Sequence, residues 1–370
     1  MTFEELNLKV ELLAALTEHK FVEPTAIQQS AIPKLLGRVN LIGRAPTGTG
    51  KTLAYLLPIL QSINPASSNI QAVVLAPTYE LAMQTARTAA EFSAPLNIRV
   101  LGLIGGANIN RQIDALKKKP HIIVGSTGRI IELVRKKKLQ LRGVNFLVLD
   151  EFDRLLDDQN FQSTLEIKKF LPLSINCSMF SATSPKKAIT RAETFGNFEL
   201  VTVDQDKNFV AKRKNFFSVT EFRDKINKVR RLTRRLEIKR GLVFVNKNFD
   251  VERALDKLKF EGIRAASLIG SNGKVDRKNA INDFKNGKLQ LLLSTDLAAR
   301  GLDIPNIDFV INLDLPEDAK MYLHRAGRTA RAGAQGNVLT LVDPKELDRL
   351  YEFERILGVK FIQIDVKNQH

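Results

Sequence analysis

The chain has 370 residues, 44% of them hydrophobic, with 57 Lys or Arg against 40 Asp or Glu and a net charge of +17. That length exceeds what one hydrophobic core comfortably fills and accommodates two domains. No apolar run approaches the roughly 20 residues of a membrane span, Cys177 alone cannot form an intrachain disulfide, and four scattered histidines with one cysteine offer no zinc spacing.

The charge favours polyanionic partners, nucleic acid among them. The start, Met1-Thr2-Phe3-Glu4-Glu5, lacks the basic cap and apolar stretch of a secretory signal, so none is expected. A lone cysteine accords with a reducing, cytoplasmic compartment, and Cys177 reads as a small buried apolar residue.

From the N-terminus onward, the first chemically pointed segment is Ala45-Pro46-Thr47-Gly48-Thr49-Gly50-Lys51-Thr52, which follows Leu41-Ile42 and opens a helical run. A strand, a glycine loop and a helix start make an anion cradle, with backbone N–H groups aimed at phosphate oxygens and the helix dipole favouring negative charge. Gly48 and Gly50 permit close backbone approach. Lys51 is placed to meet β and γ phosphates, and the Thr52 hydroxyl to ligate Mg²⁺. Ala45 stands where the general phosphate-loop pattern has its first glycine.

Runs at 72–75, 121–124 and 146–149 are apolar on consecutive positions, the pattern of strands covered on both faces. The segment 80–92 between them has helical spacing. Asp150-Glu151-Phe152-Asp153 ends the third run. Ligands of open α/β sheets gather at the carboxyl ends of strands, so Asp150 is placed to hold Mg²⁺ and Glu151 to orient or deprotonate an attacking water.

Residues 204–214 are polar and aperiodic and read as a connector, which predicts domains at 1–203 and 215–370. Strand-like runs resume at 242–245, 290–293, 309–312 and 337–340, with helical spacing at 249–260 and 275–284. The alternation predicts α/β architecture with mostly parallel sheets flanked by helices.

Several further segments fall in a recognisable order: Phe21-Val22-Glu23-Pro24-Thr25-Ala26-Ile27-Gln28, Pro77-Thr78-Tyr79-Glu80-Leu81-Ala82, Gly105-Gly106, Ser126-Thr127-Gly128-Arg129, Ser181-Ala182-Thr183, Val245-Asn246, Ser294-Thr295-Asp296-Leu297-Ala298-Ala299-Arg300-Gly301-Leu302-Asp303 and His324-Arg325-Ala326-Gly327-Arg328-Thr329-Ala330-Arg331. Together with the phosphate loop and the acidic segment they resemble the motif series of the DEAD-box branch of superfamily 2 helicases, over about residues 3–343.

The resemblance implies two tandem RecA-like domains and an ATP-dependent RNA helicase that uses ATP and Mg²⁺. It implies that Phe21 stacks on adenine and Gln28 reads its edge, with Phe3 as the isolated upstream aromatic and Thr25 and Thr49 in the nucleotide site. Asp303 meets the ribose, and Ser181 and Thr183 couple ATP state to RNA grip. Arg328 and Arg331 match the arginine fingers that reach the γ-phosphate when the domains close. RNA is held by its backbone at Pro77, Thr78, Gly105, Gly106, Thr127, Gly128 and Arg129 in the first domain and at Asn246, Arg277 and Thr295 in the second.

This sequence departs from the family pattern at Phe152 and Ala330 (alanine and glycine in the family), at Tyr79 and Thr127 (arginine and proline), and at Ile269, Ser271 and Lys274. An ATP-gated RNA clamp and a DNA helicase of the same superfamily are the competing readings. The protein is expected to act as a monomer; the RNA target and any protein partner are left open. Residues 205–240 hold thirteen Lys or Arg against four acids. The part 225–236, with Ile226, Val229 and Leu236 on one side, reads as a packed helix with a basic outer face, either solvated or an auxiliary RNA patch.

Overall fold

The computed structural model describes residues 1–46, 48–203, 213–269, 274–299, 304, 307–329 and 336–364. The chain divides into two units, Met1–Asp204 and Gln205–His370.

In the first unit β1 (Leu41–Arg44), β2 (Ala72–Leu75), β3 (Val100–Leu103), β4 (Ile122–Gly125), β5 (Phe146–Asp150), β6 (Asn176–Ser181) and β7 (Glu199–Thr202) lie in the order β3-β4-β2-β5-β6-β1-β7. Every neighbouring pair is parallel. Parallel strands need crossovers, and the crossover helices cover both faces of the sheet. That is why the strands are apolar without alternation. In β2, Ala72 and Val74 enter one core while Val73 and Leu75 enter the other, and β5 divides its residues the same way.

The second unit holds β8 (Arg213–Val219), β9 (Gly241–Phe244), β10 (Ala265–Ser267), β11 (Leu291–Ser294), β12 (Phe309–Asn312), β13 (Gly336–Val342) and β14 (Phe361–Gln363), in the order β10-β11-β9-β12-β13-β8-β14, again all parallel. Taking β8 for β1, β9 for β2 and so on, this is the same permutation as the first sheet. Val243 and Leu242 of β9 again point into opposite cores.

β8 takes in Arg213 and Lys214, which the sequence reading places in the connector. They pair with Gly336 and Asn337 of β13. Main-chain pairing is indifferent to side-chain polarity, so a basic strand start looks like a loop in sequence. The remainder of the connector, 204–212, lies outside the described residues, as do Ser271, Asp303, Ala330 and Arg331.

Candidate active site

The phosphate loop closes on itself at the carboxyl end of β1. Lys51 Nζ donates 2.7 Å hydrogen bonds to the carbonyls of Ala45 and Pro46, and the Thr49 hydroxyl donates 2.7 Å to the Pro46 carbonyl. Gly48 and Gly50 have φ of 80° and 86°, left-handed values that favour glycine. A Cβ on Gly50 would also lie 2.5 Å from Gln28 Nε2. Gly50 caps the helix Lys51–Ser62, whose first turn presents Lys51 and Thr52 to the loop.

Gln28 and Thr25 brace this loop. Thr25 caps the helix Ala26–Leu36 in a reciprocal capping box with Gln28. The Thr25 hydroxyl donates 2.7 Å to the Thr49 carbonyl, and Gln28 Nε2 donates 3.1 Å to the Gly50 carbonyl. Gln28 is 2% exposed, with its Oε1 accepting from the Thr25 backbone N–H. The structure therefore places its amide on the loop backbone. Phe21 is exposed, its ring 6.1 Å from that of Phe92.

Asp150 closes β5 and is buried. Its Oδ2 accepts a 2.7 Å hydrogen bond from the Tyr55 hydroxyl, and its Oδ1 accepts from the Glu151 backbone N–H at 3.1 Å. Burial pushes the Asp150 carboxyl above its usual range, against the Tyr55 hydrogen bond and the charge of Lys51. Burial, with the neighbouring Asp150 charge, keeps the Tyr55 phenol protonated.

Glu151 adopts φ 54° and ψ 52°, a left-handed conformation uncommon for a non-glycine residue, between β5 and the helix Phe152–Leu155. Phe152 is fully buried in the core with Leu149, Leu155 and Leu156. Its bulk is taken up by the apolar packing of that core.

Three strand ends are tied together here. The Ala45 backbone N–H donates 3.1 Å to the Ser181 carbonyl, and the Thr183 hydroxyl donates to Asp153 Oδ2. Ser181, Thr183, the acidic segment and the phosphate loop thus form one hydrogen-bonded group at the carboxyl ends of the adjacent strands β5, β6 and β1, where the strand order places a ligand crevice.

The oxygen donors Thr52, Asp150 and Glu151 suit Mg²⁺, which takes one or two carboxylates and completes its shell with phosphates and water. Among the described residues no cluster of three or more His, Cys, Asp or Glu could hold a metal by itself. Among the same residues, no helix is long and apolar enough to cross a membrane.

The other segments of the first unit surround the ends of β2, β3 and β4. Thr78 caps the helix Tyr79–Ser93 through Leu81 N, and Tyr79 is exposed. Pro77 is half-buried beside it. Gly105, Gly106 and Gly128 are exposed, and a Cβ at Gly105 or Gly128 would meet nothing within 4 Å. Thr127 starts the helix Thr127–Arg135 and accepts from Ser163 Oγ at 3.3 Å. Arg129 is 8% exposed. It donates 3.1 Å to the Ala107 carbonyl and pairs with Glu132 at 3.1 Å, which puts the guanidinium beneath the Gly105-Gly106 loop rather than on its surface.

In the second unit Asn246 is exposed, but its amide donates to the Leu315 carbonyl at 3.1 Å and accepts from Arg325 Nη2 at 2.8 Å. Arg277 donates 2.7 Å to the Ala298 carbonyl, next to the buried Thr295. Arg328 is half-buried just past the helix Ala319–Ala326.

Sequence reasoning gave Arg325 no role. It is 2% exposed, forks onto Asp296 at 2.6 and 2.8 Å, reaches Asn312 and the Asp314 carbonyl, and lies 5.1 Å from the Phe244 ring centre. It joins Asn246, Asp296 and its own helix into one hydrogen-bonded network. Tyr55 was missed likewise. Its one sequence signal is its place four residues after Lys51, on the same helix face.

The family model described as DEAD/DEAH box helicase matches residues 25–192, and the helicase conserved C-terminal domain matches residues 224–333. The chain is 41% identical over 344 residues to the DEAD-box ATP-dependent RNA helicase CshC of Bacillus cereus, covering 92% of this chain and 87% of that protein. It is 39% identical to the probable ATP-dependent RNA helicase YfmL of Bacillus subtilis, covering 92% and 90%. Among solved structures, Saccharomyces cerevisiae Dbp5 bound to RNA and ADP BeF3 is similar with a TM-score of 0.88 and 31% identity, over 98% of this chain and 95% of that one. With two parallel sheets of one permutation and the motif residues gathered at their strand ends, the chain belongs to the DEAD-box helicase family, and its two units are RecA-like.

Proposed function

We propose that this protein is an ATP-dependent RNA helicase, which hydrolyses ATP under RNA stimulation and uses the cycle to open short RNA duplexes or remodel RNA–protein complexes. The observation that carries this reading is the hydrogen-bonded group of Gln28–Gly50, Ala45–Ser181 and Asp153–Thr183. It links the phosphate loop to the acidic segment and to Ser181-Ala182-Thr183, so a change at the phosphates is transmitted through fixed partners. Similarity to the RNA helicases CshC and YfmL, and to Dbp5 bound to RNA and ADP BeF3, supports the same reading.

In this reading residues 1–203 are the ATP-binding domain, 204–214 the connector and 215–370 the second helicase domain. Lys51 exchanges the Ala45 and Pro46 carbonyls for β and γ phosphate oxygens. The backbone of Gly48, Thr49 and Gly50 takes the remaining phosphate oxygens. Thr52 and Asp150 would hold Mg²⁺, which when bound would neutralise phosphate charge. The acidic segment works as Asp-Glu-Phe-Asp, because Phe152 is spent in the core and both carboxylates stay at the crevice. Glu151 orients the attacking water and accepts its proton.

Phe21 stacks on adenine, Thr25 and Gln28 couple that end to the loop, and Asp303 takes the ribose. Arg328 and Arg331 stabilise the charge that develops at the γ-phosphate. Pro77, Thr78, Gly105, Gly106, Thr127 and Gly128, with Arg277 and Thr295, carry the RNA backbone; Arg129 and Asn246 position neighbouring main chain. The protein works as a monomer in the cytoplasm.

The test is RNA-stimulated ATP turnover and duplex opening by the wild type and Glu151→Gln. Turnover is expected to fall by roughly 10²- to 10⁴-fold with nucleotide binding kept. Equal rates in the two proteins would discard the assignment.

A further inference from the structure

The helix Lys225–Arg235 carries six basic residues in eleven and no acidic one. Val229, Leu232 and Thr233 are its buried side. Arg231, Arg234 and Arg235 are exposed at i, i+3 and i+4, so they share one outer stripe. The helix dipole accounts for positive charge in the last turn, at Arg234 and Arg235, and Arg231 extends that stripe by one turn.

The helix Asn248–Phe260 ends against this stripe. Arg230 pairs with the Glu261 carboxylate, and Arg234 Nη2 donates 2.9 Å to the Glu261 carbonyl. Phe260, the residue before Glu261, is 90% exposed. So large an apolar ring in water gains nothing from burial in its own unit. Beside a row of guanidinium groups it completes the combination that holds single strands, with phosphates on the cations and a base face on the ring. An acidic peptide would use the charges and leave the ring without a role.

The location is distinct from the motif residues of the same unit. The first helix leads into the start of β9 and the second into the start of β10, so Arg234, Arg235 and Phe260 lie toward the amino edge of the sheet. Asn246 and Thr295 follow the carboxyl ends of β9 and β11.

We propose that Arg231, Arg234, Arg235 and Phe260 form an auxiliary surface for single-stranded nucleic acid on the second unit, engaged by a strand long enough to extend beyond the motif site. That the strand is RNA rests on the helicase reading above.

The experiment measures affinity of the full chain for a short and a long single-stranded oligoribonucleotide by fluorescence anisotropy across a salt series. The proteins compared are wild type, Arg231→Gln/Arg234→Gln/Arg235→Gln, the matching triple lysine variant, Phe260→Ala and Phe260→Tyr. The triple glutamine variant is expected to bind the long strand more weakly, with a log–log salt slope shallower by about 2, since each phosphate neutralised on a single strand contributes about 0.7 to that slope. Phe260→Ala is expected to lose about fivefold or more in long-strand affinity with an unchanged salt slope. The lysine and tyrosine variants retain most binding, and ATP turnover with the short strand is unchanged in every variant. Wild-type affinity and slope in the glutamine variant, equal losses for short and long strands, or displacement of the long strand by polyglutamate at matched charge would each overturn the proposal. Absence of nucleotide-dependent RNA binding in the wild type would instead overturn the helicase reading beneath it.

Discussion

The Tyr55 hydroxyl donates 2.7 Å to Oδ2 of Asp150, and both side chains are buried under the phosphate loop. The Tyr55 ring rests 5.3 Å from Phe180, which occupies the space that a Cβ on Gly43 would take, 2.4 Å from its ring. A glycine in β1 thus makes room for the ring that fixes the tyrosine that orients the carboxylate.

Tyr55→Phe keeps that packing and leaves Oδ2 of a buried carboxylate without its donor. The expected cost is about 1–3 kcal/mol of stability and a roughly tenfold weaker Mg²⁺ dependence of nucleotide binding. Calorimetric titration of nucleotide at several Mg²⁺ concentrations reads the second effect. An unchanged Mg²⁺ dependence would mean that Tyr55 is only a packing residue.

Gly50→Ala meets two obstacles together, φ of 86° and a Cβ 2.5 Å from Gln28 Nε2. The left-handed conformation alone costs about 1–2 kcal/mol in an L-residue. Binding of a fluorescent ATP analogue should be lost while the rest of the unit still folds. Thermal unfolding and analogue titration check this, and wild-type binding would contradict it.

Phe152→Ala empties a fully buried position. The expected destabilisation is about 3–5 kcal/mol with no gain in turnover. Denaturant unfolding measures the loss. A variant as stable as wild type would show that the surrounding core collapses into the space.

His121 is buried; its Nδ1 accepts from the Arg99 backbone N–H at 3.0 Å, and its Nε2 lies 2.9 Å from the Ser67 carbonyl and 2.8 Å from Arg99 Nη2. Burial first, and the Arg99 charge second, push its pKa below the ordinary 6.5. The unfolded chain therefore binds this proton more readily. Stability is fully present above pH 6.5 and declines as pH falls from there toward the lower folded value, by at most about 1.4 kcal/mol per pH unit. Urea unfolding on either side of that pH should show the slope in wild type and lose it in His121→Gln. An identical slope in the variant would assign it to another group.

Much of the architecture was legible along the chain. The runs at 72–75, 146–149 and 309–312 became β2, β5 and β12, because a parallel strand buried on both faces is apolar at most positions, with polar residues such as Asn312 kept at its carboxyl end. The glycine loop before Lys51 and the acidic pair after β5 were equally readable, since each depends on residues adjacent in sequence. The start of β8 was not, because Arg213 and Lys214 are held by main-chain pairing to β13.

What the amino-acid order decided by itself is the set of strands, the phosphate loop and the ends of strands where chemistry collects. What only the tertiary structure decided is which distant side chains meet: Tyr55 with Asp150, Arg325 with Asn246 and Asp296, Arg129 with the Ala107 carbonyl, Gln28 with Gly50. Periodicity records only how each residue faces water, whereas such pairs depend on the order in which crossovers lay strands side by side. Residues 95 positions apart become hydrogen-bond partners only once that order is set.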